Sequence, residues 1–124
     1  MIYGKFSSDT NLPYVHIGVT FRGIIVYPSF VLDTGFSGDL KIDWSIAEDL
    51  GITETFEVPS VSAHGQRIPV RGVIGHAEME GRIAPVRILI GEGTPLAGIR
   101  LFSVFGYRAV VDCKNKEAYL ERVG

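Results

Sequence analysis

The sequence lacks the residues and segments that would place the protein outside the reducing interior of a cell. It has a single cysteine, Cys113, and therefore cannot form an intrachain disulfide, a pattern that fits a reducing compartment. Its longest uncharged apolar stretch, 23–32, falls far short of the roughly 20 residues that a membrane-spanning helix needs. The segment 1–10 has no apolar centre of the kind found in secretory signals. These features predict a cytoplasmic protein that is not embedded in a membrane.

Positive charge is neither abundant nor clustered in the chain. The 12 Lys and Arg residues are scattered and are outnumbered by 14 Asp and Glu residues, which gives a formal net charge of −2. A nucleic-acid-binding surface needs a basic stripe that neutralises phosphates. We therefore expect no nucleic acid among the partners.

Metal-ligating residues are too sparse in the sequence to form a recognisable site. His76 and Glu78 form an H-x-E pattern, and in a strand their side chains would point to the same face. No pair of cysteines follows to complete a zinc site. We expect neither a metal nor another cofactor, and the pattern leaves the roles of His76 and Cys113 open.

The chain does have enough apolar material to build a core. Of its 124 residues, 46% are hydrophobic and 21% are charged, which is sufficient for one domain without stabilising disulfides. No internal repeat, low-complexity tract or linker divides the sequence. We predict a single domain over residues 1–124.

The first third of the chain alternates or clusters its apolar residues in ways that predict strands. Within 14–20, alternate apolar residues should share one buried face: Val15, Ile17 and Val19. A turn at 22–23 should send the segment 24–32 back as a buried strand, because that segment is nearly free of polar residues. Pro28 interrupts this strand and predicts an edge position or a bulge.

The rest of the chain predicts short strands and two short helices. Asp43 can cap a helix over 44–50 that ends at Gly51. The apolar spacing in 98–105 predicts a second helix, and Gly75 predicts a bend or bulge between strands. The remaining predicted strands are 39–42, 56–62, 67–74, 76–80, 83–90, 107–111 and 118–120. Short strands with closely spaced turns predict a small, mostly β, barrel-like fold.

The strongest candidate for a functional site is an aspartate at the end of an apolar run. Asp33 follows two apolar residues, and a carboxylate placed there cannot stay ionised without hydrogen-bond donors or a partner. Gly35 and Gly38 let backbone N–H groups approach the acid closely. Thr34 and Ser37 add hydroxyl groups that can donate or accept locally. The pattern indicates an acid with its own supporting residues at the exit of a rigid strand.

The tripeptide Asp33-Thr34-Gly35 has an ordinary interpretation too, since Asp is a frequent turn residue. It should occur by chance in on the order of a few per cent of chains of this length. Its surroundings, however, resemble the aspartic peptidases of the retropepsin-like family, in which two apolar residues precede Asp-Thr-Gly and a small hydroxyl residue often follows. The sequence is most similar to the small bacterial and archaeal members in which Phe comes next, as Phe36 does here.

The resemblance implies a closed β-barrel of the acid protease type, mostly β, with one or two short helices. It places a β-hairpin flap over His64, Gly65 and Gln66 and a late hydrophobic-hydrophobic-Gly motif at 96–98, before a short helix. Two residues depart from the family pattern. Ala97 is smaller than the usual aliphatic residue, and Phe36 is bulkier than the usual Ala or Ser, so we expect it to narrow or reshape a substrate pocket.

Aspartic proteolysis needs two carboxylates that share one proton. The chain holds one Asp-Thr-Gly, so the second acid must come from a second copy, and we expect a homodimer with Asp33 contributed by each subunit. The predicted catalytic residues are Asp33, Thr34 and Gly35, and the predicted substrate-binding residues are Phe36, Ser37, His64, Gly65 and Gln66. The predicted activity is an endopeptidase that hydrolyses peptide bonds in a peptide or protein substrate.

A second function from another class stays open at this point. The same fold could form a non-catalytic dimeric β domain that binds peptides or protein partners, because a fold does not fix a function. The intact Asp33-Thr34-Gly35 with Ser37 favours catalysis, since a binding module has no need of a supported acid.

Overall fold

The computed structural model describes residues 1–61, 65 and 67–124, and its described elements are mostly strands with two short helices. The strands are β1 (Ile2–Tyr3), β2 (Lys5–Phe6), β3 (Pro13–His16), β4 (Gly18–Phe21), β5 (Ile24–Val26), β6 (Ser29–Leu32), β7 (Leu40–Ile42), β8 (Phe56–Val61), β9 (Arg67–Met79), β10 (Arg82–Ile90), β11 (Leu96–Ala97), β12 (Tyr107–Asp112) and β13 (Glu117–Arg122). The helices are α1 (Trp44–Asp49) and α2 (Ile99–Phe105). The predicted class, mostly β with short helices, is confirmed.

The strand predicted over 14–20 is divided at Ile17 into β3 and β4. Its alternate residues Val15, Ile17 and Val19 are all buried, so the predicted shared face is confirmed. The two halves pair with different strands, β3 with β6 and β4 with β5 and β9. This division turns the chain from one part of the sheet to another and makes the sheet curl around the core.

The predicted buried strand over 24–32 is wrong in its first half. It consists of two strands separated at Pro28, and β5 is largely exposed, with Ile24 at 44% and Ile25 at 54%. Because proline has no N–H to donate, the ladder stops there; the sequence predicted an edge position or a bulge, and the strand that ends before Pro28, β5, lies at one end of the sheet. Only β6 is buried, and it carries Phe30 and Leu32 into the core.

The strands form a ten-stranded sheet and a smaller three-stranded sheet. The larger sheet has the order β2-β3-β6-β11-β7-β10-β9-β4-β5, with β8 added to β9, and the smaller one has the order β1-β13-β12. The order of the larger sheet has two separate ends among the described strands, so the predicted closure of the barrel is not confirmed. The sheet curls round one cluster of buried residues that includes Phe30, Leu40 and Ile88 and the inner face of α2.

Gly75 lies inside β9 and does not form the predicted bend or bulge. The pairing of β9 with β10 runs without a break from Arg71 to Met79. A Cβ at Gly75 would lie 2.8 Å from Thr20 O and 2.7 Å from the Ile88 Cδ1 atom. The glycine is therefore needed for close approach of neighbouring strands.

Both predicted helices are present, and α1 has its predicted caps. Asp43 accepts a hydrogen bond from the Ile46 N–H at 2.8 Å, and Gly51 has a φ of +69° just beyond α1. Helix α2 ends at Gly106, whose φ of +74° is the left-handed conformation that favours glycine. Its buried residues, Leu101, Phe102 and Phe105, have the apolar spacing from which the helix was predicted. No helix among the described residues is long and apolar enough to cross a membrane.

The two N-terminal strands were not predicted. Strand β1 pairs with β13, and β2 pairs with β3, each through two residues. Gly4 connects them, and its N–H donates to Ala118 O at 2.7 Å. Strands this short carry no periodicity that a sequence pattern could reveal.

Candidate active site

Asp33 lies directly after β6, where two neighbouring chains fix the backbone. Its N–H donates to Ala97 O at 3.0 Å, and Val31 N–H donates to Pro95 O at 2.9 Å. Strand β11 runs parallel to β6 at this point, with Ala97 opposite Leu32. The small Ala97 side chain is fully buried behind the acid. The predicted rigid support for Asp33 is therefore present in the backbone.

The Asp33 carboxyl is half-buried and makes a local hydrogen bond. Its Oδ1 accepts the Gly35 N–H at 2.9 Å, and Phe36 N–H donates to Asp33 O at 3.2 Å. A Cβ at Gly35 would lie 3.2 Å from Oδ1, which is closer than most side-chain contacts. Glycine therefore allows the amide to approach the acid, as the sequence predicted. No other group in 1–61, 65 or 67–124 donates a hydrogen bond to this carboxyl.

Residues 33–39 form a loop that packs against the start of α2. We call it the Asp33 loop. The first N–H groups of a helix have no partner within the helix, and here the loop carbonyls accept them. The hydrogen bonds run from Gly98 to Asp39 at 2.9 Å, from Ile99 to Phe36 at 2.9 Å and from Arg100 to Gly38 at 3.2 Å. This docking explains the glycine of the late motif, because a Cβ at Gly98 would lie 2.5 Å from Phe36 O.

Three further residues predicted for the site lie on this loop. The half-buried Phe36 ring packs on the backbone, since a Cβ at Gly38 or Gly98 would lie 2.7 Å from a ring carbon. Ser37 is exposed. Thr34 is exposed as well and lines a cavity of about 230 Å³ together with residues of α2 and β12.

Asp39 forms a buried ion pair at the end of this loop that the sequence analysis missed. It is only 2% exposed, and its Oδ2 accepts Arg87 N–H at 2.9 Å and Arg100 Nη1 at 2.6 Å. Its Oδ1 is buried and has no hydrogen-bond partner among the described atoms. The pair joins the Asp33 loop to β10 and α2. The sequence does contain a signal for this pair, because Asp39 ends a glycine-rich loop, and an aspartate that is buried there needs a cation as its partner.

The predicted flap corresponds to an antiparallel pair of strands. Strand β8 pairs with the first half of β9, and Val61 lies opposite Arg67 at the last pair before the connection. Gly65 is exposed and has a φ of +78°, a conformation that suits a tight connection. His64 and Gln66 lie outside the described residues. The role of this hairpin in substrate binding stays a prediction.

The other singled-out residues have ordinary surroundings. Glu78 accepts a hydrogen bond from the Tyr27 hydroxyl at 3.3 Å, and His16 Nδ1 lies 3.3 Å from Tyr27 O. Cys113 is exposed in the turn between β12 and β13. The described part of the chain contains no group of three or more His, Cys, Asp or Glu that could hold a metal ion.

The curled, mostly β sheet with an aspartate at the end of a buried strand is a retropepsin-like fold. Two solved structures with this fold are similar to the chain. The EIAV protease complexed with the inhibitor HBY-793 has a TM-score of 0.63 and 13% identity over 85% of this chain and 98% of its own. A retropepsin-like aspartic protease from Rickettsia conorii has a TM-score of 0.61 and 18% identity over 97% of this chain and 88% of its own.

Sequence identities of 13% and 18% show that the fold is shared, but they do not show a shared activity or shared site residues. No protein-family model matches the sequence, and no curated protein matches it either. The resemblance inferred from the Asp33 motif is confirmed as a likeness of fold.

Proposed function

We propose that the chain is one half of a homodimeric aspartic endopeptidase. The observation that carries the proposal is the Asp33 carboxyl, half-buried at the exit of a buried strand, with Gly35 as its only described hydrogen-bond donor. The retropepsin-like fold supports the same reaction class, because the two solved proteins described above that share it are proteases. The chain contributes one such acid, so a second copy supplies the other.

The two Asp33 side chains would share one proton, since neighbouring carboxylates cannot both ionise. The ionised acid takes a proton from a water molecule, whose oxygen attacks the carbonyl carbon of the peptide bond. The neutral acid donates its proton to the developing oxyanion. Collapse of the intermediate then breaks the C–N bond, and the leaving amine takes up a proton from the acid pair. Gly35 acts as a positioning residue, because its N–H holds the carboxyl, and the Thr34 hydroxyl would bond across to the Asp33 loop of the second copy.

The substrate in this proposal is a peptide or protein segment in an extended conformation. Such a segment can pair with main-chain groups of the hairpin formed by β8 and β9. Phe36 and Ser37 would face the substrate from below, and His64, Gly65 and Gln66 would cover it from above. Closing this hairpin would exclude water from the cleavage site.

In this proposal, residues 1–124 form one catalytic domain that functions in the cytoplasm. The lack of a second cysteine in the chain supports the location, because no intrachain disulfide is possible. No cofactor takes part, since both acids and the attacking water suffice for the reaction.

The test replaces Asp33 with Asn in the full chain. Asp33→Asn should reduce cleavage of a mixed peptide library by roughly 10²–10⁴-fold, the usual contribution of a general acid–base group, and should leave the sedimentation of the dimer unchanged. The matched control is Asp49→Asn, which changes an exposed aspartate at the end of α1. Equal cleavage by the wild type and Asp33→Asn would exclude the proposal.

The rival function makes a different prediction in the same assay. A non-catalytic dimeric β domain would cleave no peptide as wild type or variant, and it would still bind peptides as a dimer. Dilution distinguishes the two candidate functions further, because the proposed catalytic site needs two chains. The cleavage rate per chain should fall as the dimers dissociate.

A further inference from the structure

A cleft lies where the chain passes from the smaller sheet to the larger one. Tyr3 belongs to β1 of the three-stranded sheet and Lys5 to β2 of the ten-stranded sheet, so the chain changes sheets at Gly4. A Cβ at Gly4 would lie 2.5 Å from Tyr14 O, so only glycine fits there without a shift of the backbone. The cleft has a volume of about 520 Å³. Small-molecule sites have volumes of roughly 300–1,000 Å³, so the cleft is large enough for a ligand.

The floor of this cleft, which we call the Tyr14 cleft, is the outer face of β2, β3 and β6. Residues directly opposite each other on paired strands point to the same face of a sheet. Lys5 lies opposite Tyr14, and His16 lies opposite Ser29. Val15, between Tyr14 and His16, is 1% exposed and points into the core on the other face. An ammonium group, an aromatic ring, an imidazole and a hydroxyl therefore share the floor of the cleft.

Two tyrosine rings give the cleft surfaces on which a flat group can stack. Tyr3 is 76% exposed, and its ring centroid lies 6.3 Å from that of Tyr119, with the two rings tilted by 53°. Tyr14 is half-buried, and its hydroxyl lies 3.5 Å from Thr10 Oγ1. These contacts support each ring from one side and leave it in the lining of the cleft. Aromatic rings stack favourably on one another, so the cleft favours a ligand that contains a ring.

The charge of the cleft differs in sign from that of the whole chain. The formal net charge of the chain is −2, but none of the described residues that line the cleft is Asp or Glu. None of the ion pairs among the described residues involves Lys5. His16 Nδ1 lies 3.3 Å from Tyr27 O, and because a carbonyl only accepts, Nδ1 carries the hydrogen and leaves Nε2 for a ligand. The cleft therefore favours an anionic group beside the ring.

We infer that the Tyr14 cleft binds a small molecule that joins a flat ring to an anionic group, either a carboxylate or a phosphate. The ring stacks on the tyrosine side chains, and the anion accepts charge-assisted hydrogen bonds from Lys5. A neutral ring lacks the ionic contact, and a bare anion lacks the stacking. The cleft is separate from the proposed catalytic acid, because Ser29 begins β6 and Asp33 follows its end, about 13 Å further along the strand. The inference therefore does not depend on the proposed function.

The first test compares matched probes by NMR titration of the full chain labelled with nitrogen-15. Phenyl phosphate and phenylacetate each carry a ring and an anion, whereas inorganic phosphate carries only the anion and benzyl alcohol only the ring. The two combined probes should shift the amide signals of Gly4, Lys5 and Ser29. At least one of them should bind roughly tenfold more tightly than both single-feature probes. The tighter of the two combined probes identifies the anionic group as a phosphate or a carboxylate.

The second test changes the residues that should hold the ring and the anion. Lys5→Met keeps most of the aliphatic length and removes the ammonium group, so it should weaken binding of the tighter combined probe roughly tenfold or more. Tyr3→Ser removes an exposed ring and should reduce the affinity of that probe toward that of inorganic phosphate. The matched control is Arg108→Met, which removes one positive charge from an exposed side chain outside the cleft and should leave binding unchanged.

The outcomes separate this inference from the proposed function. Combined probes that bind no more tightly than the single-feature probes, or a Lys5→Met chain that binds them as the wild type does, would overturn the inference. Amide shifts confined to the Asp33 loop would overturn it as well, because the probes would then occupy the proposed catalytic site. Asp33→Asn should bind the combined probes as the wild type does. A chain that cleaves no peptide but binds these probes at the cleft would therefore refute the endopeptidase and support the cleft.

Discussion

The ion pair between Arg100 and Asp39 joins an exposed guanidinium to a buried carboxylate. The Arg100 side chain is 60% exposed, whereas the Asp39 side chain is 1% exposed, and their atoms are 2.6 Å apart. Arg100→Met keeps most of the aliphatic length and removes the charge. It leaves the Asp39 carboxylate buried with the Arg87 N–H as its one remaining described donor.

The expected cost follows from how the two partners are solvated. Removing one partner of a fully buried ion pair costs about 3–5 kcal/mol, because the other charge remains buried and uncompensated. Water reaches the exposed Arg100 side chain and screens the interaction, and the backbone donor remains. We therefore expect Arg100→Met to lower the free energy of unfolding by about 2–3 kcal/mol, below the range for a fully buried pair.

Arg108 supplies a matched control. Its side chain is 61% exposed, almost the same as that of Arg100, but its partner Glu121 is 36% exposed, and the pair is 3.0 Å apart. An ion pair in which both side chains are exposed contributes about 0–1 kcal/mol to stability. Arg108→Met should therefore change the free energy of unfolding far less than Arg100→Met, although both remove one arginine.

Urea unfolding followed by circular dichroism measures both variants. They are compared at a protein concentration at which the wild type sediments as a monomer, so that dimerisation does not contribute. If the slope of the free energy of unfolding against urea concentration is unchanged, the substitutions have altered stability and not the surface that unfolding exposes. Equal decreases in the free energy of unfolding for Arg100→Met and Arg108→Met would refute the reasoning, because burial of the acid would then have no effect.

Two further predictions concern the site and β12. Gly98→Ala should lower the melting temperature and the cleavage rate, because its Cβ would lie 2.5 Å from Phe36 O; Gly91→Ala, whose Cβ has its nearest neighbour at 3.6 Å, should change both much less. The backbone N–H and then the side chain of Asn115 hold the pKa of Asp112 below its ordinary value. This stabilisation is present above the ordinary pKa of about 4 and is lost as pH falls through the lowered pKa, so Asp112→Asn should flatten the acid side of a urea-midpoint profile against pH.

Local signals in the sequence predicted the parts of the fold that depend on neighbouring residues. Asp43 caps α1 because its side chain reaches an N–H three residues away, and Gly106 ends α2 because it adopts a left-handed conformation. Asp33 was found in the same way, since its donor Gly35 is two residues along the chain. Periodicity also identified the buried face of β3 and β4.

Features set by distant residues were missed or misjudged. The Asp39 carboxylate binds an arginine 61 residues further along the chain, and no local pattern marks such a pair. The segment before Pro28 is as apolar as a buried strand, but β5 lies at an end of the sheet and stays exposed. Whether an apolar strand is covered depends on the strands beside it, and that order is a property of the whole fold.

The Asp33 loop combines a rigid backbone with an accessible surface. β11 and the first N–H groups of α2 hold it from one side, while Thr34, Gly35 and Ser37 remain exposed on the other. Thr34 lines a cavity of about 230 Å³ together with Tyr107 and Ala109 of β12, so the surface beside the acid continues onto that strand. Asp33→Asn should therefore remove cleavage and keep the dimer, because it replaces one carboxyl oxygen with an amide nitrogen and leaves the backbone hydrogen bonds that hold the loop in place.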